Sequence, residues 1–246
     1  MNYIIYDLEF NQKDNTSVEN ELFQSKNIPF EIIQIGAIKL NESFETVSSF
    51  NTLIKPTIYK TIHPFVEGLT KITDDQVSSC NNFPTVYEDF LNFIGSDESI
   101  LCVWGIVDIK ELIRNINFFN LSSSKITNYI DVQTYASKYL NIGKNSKIGL
   151  KNAIELLNIP INGNFHDAYN DAYYTAEIFK IIYDAKISPS KYIPKYSRRT
   201  VQAKEKVDIA SLIIQFEKMY NRNMTEEEKS IIKLAYFMGK TGQFIR

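Results

Sequence analysis

The order of apolar segments along the chain predicts an α/β protein with a mixed sheet. Three segments rich in bulky and β-branched residues come first, and the gap at Asn41–Ser43 is short enough to predict an antiparallel meander. Strand-like and helix-like segments then alternate, which is typical of parallel strands joined by helices. The 246 residues, of which 44% are hydrophobic and 23% charged, suffice for one sizeable core and an appendage.

The first predicted strand, Asn2–Phe10, carries two acids near its carboxyl end. Successive side chains of a strand point to opposite faces. One face therefore holds Tyr3, Ile5, Asp7 and Glu9, and the other holds Ile4, Tyr6, Leu8 and Phe10.

Four more strands and four helices complete the predicted main domain, residues 1–185. The strands are Glu31–Leu40, Phe44–Ile54, Ser99–Trp104 and Tyr129–Gln133. The helices are Thr85–Ile94, Asp108–Phe118, Leu150–Leu157 and Ala168–Ala185. Together they predict a five-stranded sheet flanked by helices.

The remainder of the chain is predicted to be a basic linker, residues 186–206, and a helical C-terminal appendage, residues 207–246. Amphipathic helices are expected over Val207–Tyr220 and Thr225–Met238, paired as a helical hairpin. The second opens with Thr225, whose third following residue is Glu228, the pattern of a capping box.

The net charge of −2 conceals an asymmetry. Residues 1–185 carry 14 Lys and Arg against 23 Asp and Glu, and residues 186–246 carry 13 against 6. An acidic domain repels polyanions unless cations neutralise it, whereas a basic segment suits phosphate binding or is merely a solvated surface.

Other features of the composition indicate a cytoplasmic protein that does not enter a membrane. No apolar run approaches the ~20 residues of a membrane span. The N-terminus has no basic leader region, and Cys80 and Cys102 are too few for a disulfide framework or a zinc cluster.

Asp7 and Glu9 are the first candidate functional residues. Two carboxylates on one face of an otherwise apolar strand repel each other, and divalent cations such as Mg²⁺ relieve that repulsion through oxygen ligands. The alternative is that Glu9 ends the strand in solvent and Asp7 serves as a cap.

Three further candidates lie at the starts of predicted helices. Asp108 follows a buried strand and begins a helix, where an N-cap is the ordinary interpretation. His166 precedes the helix that begins near Asp167, and Asp171 lies in its first turns. A histidine at this position suits general-base catalysis, and a packed or exposed side chain is the alternative. His63 is interpreted as a turn residue without a role.

Taken in order, YDLEF, WGIVDIKEL and HDAYNDA resemble the signature blocks of DEDDh-type 3′→5′ exonucleases, a branch of the DEDD superfamily with a ribonuclease H-like fold. The resemblance covers about residues 1–185. EIIQIGAIKL and LTKITDDQV are most similar to the Eri-type RNA exonuclease branch.

The resemblance implies a role for each candidate. Asp7, Glu9 and Asp171 would hold one Mg²⁺ or Mn²⁺ ion, Asp7 would also hold a second, and Asp108 would support it. His166 would accept the proton of the attacking water.

The same resemblance implies a set of substrate contacts. Leu8, Phe10 and Leu69 would touch the terminal nucleotide, although core packing is the alternative for Leu8 and Phe10. Lys71 departs from the glycine that is usual in the family, which places a cation beside the substrate channel.

The expected activity is removal of 5′-mononucleotides from the 3′ end of single-stranded nucleic acid, with RNA favoured over DNA. The alternatives are a DNA exonuclease of proofreading or repair, and an inactive adaptor that binds nucleic acid or protein. The spacing of His166 argues against a ribonuclease H-type endonuclease.

The tail has two competing predicted roles, as a phosphate-binding arm or as a device for binding a partner or forming a homodimer. The arm would use Lys191, Lys195, Arg198, Arg199, Lys204 and Lys206. Docking would use Ile209, Ile213, Phe216, Ile231 and Leu234.

Overall fold

The computed structural model describes residues 1–13, 28–126, 128–143, 146–193 and 208–240, with side chains described up to residue 236. The chain divides into two compact units, Met1–Pro194 and Lys195–Arg246.

A mixed sheet of six strands forms the first unit. The strands are β1 (Asn2–Gln12), β2 (Phe30–Leu40), β3 (Thr46–Leu53), β4 (Ser99–Val103), β5 (Asn128–Asp131) and β6 (Ser190–Lys191). Their spatial order is β3-β2-β1-β4-β5-β6.

Seven helices accompany the sheet in the described part of this unit. They are α1 (Pro64–Thr70), α2 (Asp74–Ser78), α3 (Phe83–Ile94), α4 (Val107–Phe118), α5 (Val132–Tyr139), α6 (Leu150–Leu156) and α7 (Ala168–Ile182).

The pairing of the strands confirms the predicted meander followed by parallel strands. β1 is antiparallel to β2, β2 is antiparallel to β3, and β1, β4 and β5 run parallel. The predicted number of five strands is wrong by one, because Ser190–Lys191 pairs antiparallel with β5. This two-residue strand lies within the segment predicted as linker and is too short to produce a periodic pattern.

Two apolar layers cover the sheet, and β1 contributes alternate residues to each of them. Ile4 and Tyr6 pack with residues of α3 and α4. Tyr3 and Ile5 pack on the other face with residues of α5, α6 and α7. The predicted alternation of β1 is therefore confirmed, and Asp7 and Glu9 continue the face that α7 covers.

Three short helices were not predicted. α1 begins after His63, whose Nδ1 accepts from Phe65 N at 3.1 Å, so this residue is a helix cap rather than a plain turn residue. α2 begins with a capping box at Thr73 and Gln76. α5 follows β5 without a loop, because Asp131 ends the strand and caps the helix.

The second unit contains α8 (Ile209–Tyr220) and α9 (Glu226–Lys240). Thr225 N donates to Glu228 Oε2 at 2.9 Å and Glu228 N donates to Thr225 Oγ1 at 3.3 Å, which confirms the predicted capping box. α8 has no buried residue; Ile209, Ile213 and Phe216 are half-buried.

On α9, Ile231 and Leu234 are about 60% exposed. Neither predicted role of the tail is decided by these helices. Of the arm residues, Lys191 is in β6, whereas Lys195, Arg198, Arg199, Lys204 and Lys206 lie outside the described residues. Over the described ranges, no helix has the length and apolar character that crossing a membrane requires.

Candidate active site

The first part of the site is the carboxyl-terminal half of β1. Glu9 is only 8% exposed and the strand continues to Gln12, so Glu9 does not end the strand in solvent. The pairing with β2 shifts between Glu9 and Phe10, where a β-bulge interrupts the ladder. Bulges redirect side chains and are common beside active sites.

The second part is the start of α7, which lies directly on β2. Gly36 pairs with Asp7, and a Cβ atom at Gly36 would lie 2.2 Å from the backbone of Ala168 and Tyr169. Any side chain here would push the helix away from the sheet. Gly36 therefore sets the short distance between α7 and the acids of β1.

Gln34 fixes the same helix by hydrogen bonds. It pairs with Glu9 on β2, its Nε2 donates to Asp167 Oδ2 at 3.1 Å, and its Oε1 accepts from Ala168 N at 3.2 Å. Asp167 in turn accepts from Asn170 N at 3.0 Å as the N-cap. The two β2 residues opposite the acids thus form a seat for α7, which we call the α7 seat.

His166 comes immediately before that cap and has a left-handed backbone with φ of 62°. The loop before it is held by the buried Tyr174, whose hydroxyl accepts from Asn162 N and Gly163 N at 3.1 and 2.8 Å. A left-handed conformation at a non-glycine residue is uncommon and concentrates at functional sites. The imidazole of His166 is exposed.

Asp171 and Asp108 come from the first turns of two helices. Asp171 lies in α7 and its Oδ2 accepts from His166 N at 3.1 Å. Asp108 lies in α4 and is 6% exposed; the N-cap of that helix is Ile106. The interpretation of Asp108 as a helix cap is therefore wrong.

The carboxylates are close enough to raise one another's pKa. Burial raises the pKa of Asp7 well above its ordinary value, and Asp108, Asp171 and Glu9 raise it further. Burial and then the charges of Asp171 and Asp108 raise the pKa of Glu9 to about 8. The four acids predicted from the sequence therefore interact as one cluster.

The two helix carboxylates differ. Burial raises the pKa of Asp108 to about 8. Burial raises the pKa of Asp171 only to about 6, because the hydrogen bond from the His166 backbone and the charge of His166 oppose the shift.

The cluster has the chemistry of a site for hard divalent cations. Ligand atoms of Glu9, His166 and Asp171 lie within 4.8 Å of one another. Asp171 Oδ1 is buried and has no hydrogen-bond partner among the described residues. A cation would supply both the missing partner and the missing countercharge, so the residues present fit a metal with oxygen ligands.

The predicted substrate-contact residues have different surroundings. Leu8 is 3% exposed in the core between β1 and α3, so its side chain does not form part of the site's surface. Phe10 is half-buried against the same core, with its ring centroid 5.9 Å from that of Phe30. Leu69 is 40% exposed on α1, and Lys71 caps that helix with φ of 64°.

Gln34 and Gly36 were missed as positioning residues by the sequence analysis. A signal was present: both interrupt the apolar run from Ile32 to Ile38, and their spacing of two places them on one face. Two exposed apolar residues, Ile106 and Val107, also precede Asp108 and were not singled out.

Comparison with known proteins places these features in a family. Residues 4–179 match the family model of the RNase T exonucleases. The probable 3′-5′ exonuclease KapD of Bacillus subtilis is 24% identical over 214 residues, covering 85% of this chain and 95% of its own.

Two further proteins are similar over different extents. The DNA polymerase III subunit epsilon of Buchnera aphidicola is 30% identical over 129 residues, about half of each chain. The solved nuclease domain of 3′hExo, a DEDDh family member bound to rAMP, superimposes with a TM-score of 0.65 at 20% identity, covering 78% of this chain and 97% of that one.

Proposed function

The chain belongs to the RNase T exonuclease family, and on that premise we propose that it removes 5′-mononucleotides from the 3′ end of single-stranded nucleic acid, with RNA preferred. The 3′→5′ direction is supported by the similarity to the 3′-5′ exonuclease KapD and by the resemblance of the three signature blocks to DEDDh-type exonucleases. The observation that carries the proposal is the convergence of four carboxylates and His166 at the carboxyl end of β1.

The family is divalent-metal dependent, and the acids would hold two ions, Mg²⁺ or Mn²⁺. Asp7 would contribute to both, because it interacts with Glu9, Asp171 and Asp108. Bound ions stabilise the charge of the entering and leaving oxygens in phosphoryl transfer. The protein's own contribution is to hold its carboxylates together against their repulsion.

His166 would accept the proton of the attacking water. Its backbone is fixed to Asp171 Oδ2, so the imidazole stands beside a predicted metal ligand, while its exposure lets the proton pass to solvent. A base must lie within hydrogen-bond reach of the proton that it takes, and this arrangement supports that role.

RNA as the preferred substrate is supported by the Eri-type sequence segments of β2 and α2 and by the similarity to the rAMP-bound 3′hExo domain. The similarity to the epsilon subunit of a DNA polymerase supports DNA as the alternative. An inactive adaptor is the less favoured alternative, because all four acids and His166 are present.

The experiment is a side-by-side digestion of 5′-labelled RNA and DNA oligomers of equal sequence, with Mg²⁺, Mn²⁺ or excess chelator. We expect stepwise shortening from the 3′ end, faster for RNA, and none in chelator. Circular single strands should resist, and internal cleavage of a circle would contradict exonuclease action. An Asp7→Asn variant controls for contaminating nuclease.

For the tail we propose that the basic linker holds the strand upstream of the 3′ end. Its support is charge, because residues 186–246 carry 13 Lys and Arg against 6 Asp and Glu. Truncation after residue 193 should then raise the KM for long substrates. It should also flatten the plot of log binding constant against log salt concentration, with a loss of about 0.7 in slope for each lost phosphate contact. A halved particle mass with unchanged salt dependence would indicate a homodimer formed through the helices instead.

A further inference from the structure

The backbone that leads from β3 into α1 is fixed to the sheet by two buried side chains. Glu31 of β2 accepts hydrogen bonds from the three successive N–H groups of residues 57–59. Asn11 of β1 donates from Nδ2 to Thr61 O and accepts at Oδ1 from His63 N, both at 2.9 Å. We call these last two hydrogen bonds the Asn11 clamp. The two side chains face each other, because Asn11 pairs with Glu31 in the sheet.

Apolar packing on the sheet is limited for residues 61–78, which contain α1 and α2. Among the described residues, the buried cluster beneath these helices has five members, of which only Ile33 belongs to the sheet. Leu53 of β3 packs partly against it. Asp74 Oδ1 accepts from Ile62 N at 2.8 Å, but both residues belong to this segment and do not tie it to the sheet. Hydrogen bonds from the sheet therefore carry more of the attachment here than in the main core.

The β-bulge lies between the α7 seat and the Asn11 clamp. Glu9 pairs with Gln34 and Phe10 pairs with Ile32, so Ile33 is the extra residue of β2. The α7 seat lies on one side of this residue, and the clamp lies on the other. The same pair of strands thus holds α7 and α1.

The far end of α1 borders the cleft that contains His166. Leu69 and Lys71 line a cavity of about 670 Å³ together with residues 164–167. Asn11 lies two residues after Glu9 and on the same face of β1, so a single strand carries a predicted metal ligand and holds one border of the cleft. Asparagine is depleted in strands, and Asn11 is 0% exposed, so its position calls for a reason other than strand formation.

Building on the proposed exonuclease activity, we propose that Asn11 is a positioning residue, which holds α1 in place relative to His166 and the acidic cluster. It acts through His63, the N-cap of α1. Without the clamp, α1 is in place in only a fraction of the molecules, and the KM rises in inverse proportion to that fraction. The kcat is unaffected, because bound substrate selects the molecules in which α1 is in place.

Asn11→Leu removes both hydrogen bonds of the clamp with little change in side-chain volume. For a single-stranded RNA oligomer we expect the KM to rise about five- to twentyfold, the effect of losing two hydrogen bonds. The kcat and the Mg²⁺ concentration needed for half the maximal rate should be unchanged. Hydrogen exchange should become faster over residues 61–71 and should not change in α7.

Ser137→Ala is the matched control. Ser137 is 5% exposed, and its Oγ also joins two backbone groups, donating to Gln133 O at 2.7 Å and accepting from Ile148 N at 3.0 Å. Its loss should lower the melting temperature and leave the KM unchanged, because these contacts hold α5 and the loop before α6 rather than α1.

Two variants of His63 test one bond of the clamp without a change in β1. The φ of His63 is −63°, which proline maintains, so His63→Pro removes the N–H group that Asn11 accepts. His63→Ala keeps this N–H group and removes only the side-chain cap at Phe65 N. His63→Pro should therefore raise the KM about two- to tenfold more than His63→Ala does.

The outcomes separate the clamp from the proposed function. An unchanged KM in Asn11→Leu, or an equal rise in Ser137→Ala, would overturn the proposal. A lower kcat with a higher Mg²⁺ requirement would also overturn it, because Asn11 would then act on Glu9 rather than on α1. If Asn11→Leu does not fold, equal KM values for the two His63 variants overturn it.

Failure of the proposed function has a different signature. If the wild-type protein does not shorten the oligomer, the exonuclease proposal fails, and the effect of Asn11 on the reaction fails with it. Hydrogen exchange over residues 61–71 would still show whether Asn11 holds α1.

Discussion

Two helices, α4 and α7, bring a carboxylate to Asp7, and they are held in different ways. α4 begins without a side-chain cap, and its apolar face packs on the sheet. Its hydrogen bonds to the sheet come later in the helix, where Asn115 donates from Nδ2 to Phe30 O at 3.0 Å and accepts from Ile32 N at 3.3 Å. α7 begins with the Asp167 cap, the two hydrogen bonds of Gln34 and the close contact at Gly36.

The difference follows from what each helix must position. α4 delivers one buried carboxylate, Asp108, and a well-packed helix suffices for that. α7 delivers Asp171 and also fixes the exposed His166 one residue before its cap. Core packing cannot fix the position of an exposed catalytic side chain, so the backbone next to it has to hold it in place.

The largest effect should come from Asp7→Asn, which changes the residue that faces both helices. The loss of ion binding should reduce turnover on the order of 10⁴-fold, measured with a labelled oligomer. The fold should remain intact, because removal of one buried charge relieves repulsion, and a thermal melt in chelator checks this. A variant with a tenth of the wild-type rate would show that Asp7 is not shared between ions.

His166→Ala should produce the next largest effect and affects the α7 side alone. Loss of a positioned general base should lower kcat by about 10²–10⁴-fold. Metal affinity, measured by calorimetry, should change little, because the carboxylates remain. Normal turnover in this variant would show that His166 is not the general base, although it lies beside the site.

Gly36→Ala tests the α7 seat directly. The added Cβ would overlap the backbone of Ala168, so α7 must move, and overpacking of this kind costs about 1–3 kcal/mol of stability. We expect a lower melting temperature and a lower kcat together. Gly143→Ala is the matched control, since a Cβ there meets nothing within 4 Å. Equal behaviour of the two variants would remove the seat from the explanation.

The smallest effect concerns stability against pH in excess chelator. The folded protein retains protons on Glu9 and Asp108 up to about pH 8, whereas the unfolded chain releases them near its ordinary carboxyl pKa. Stability should therefore fall as the pH rises from 5 to 8, and added Mg²⁺ should reverse the fall. Asp108→Asn should flatten the curve between pH 6 and 8 more than Asp171→Asn does, because the pKa of Asp171 is only about 6. If the melting temperature changes with pH in the same way with Mg²⁺ as in chelator, this prediction is wrong.

The sequence predicted the site residues whose positions follow from the regular pattern of a strand or from the start of a helix. Alternation in β1 placed Asp7 and Glu9 on one face. The start of α7 at Asp167 placed His166 just before the helix and Asp171 in its first turn. These positions follow from local periodicity and helix capping. Both depend on only a few neighbouring residues, so a single segment of the sequence is enough to predict them.

What escaped prediction depends on contacts between distant segments. The β-bulge after Glu9 arises from the match of two strands, and the role of Gly36 depends on a helix about 130 residues later in the chain. The sixth strand is a pairing of two residues, and α1 and α2 are too short to produce an apolar period. Burial of the Leu8 side chain likewise depends on α3 and α4 covering that face.

The left-handed backbone of His166 offers a route to chemical rescue. Because φ is 62°, glycine maintains this backbone without strain and leaves the volume of an imidazole open to solvent. Free imidazole added to a His166→Gly variant can enter that volume and take the proton in place of the missing side chain. The same geometry that makes this histidine strained thus makes its ring replaceable by a small molecule, which would isolate proton transfer from every other contribution of the residue.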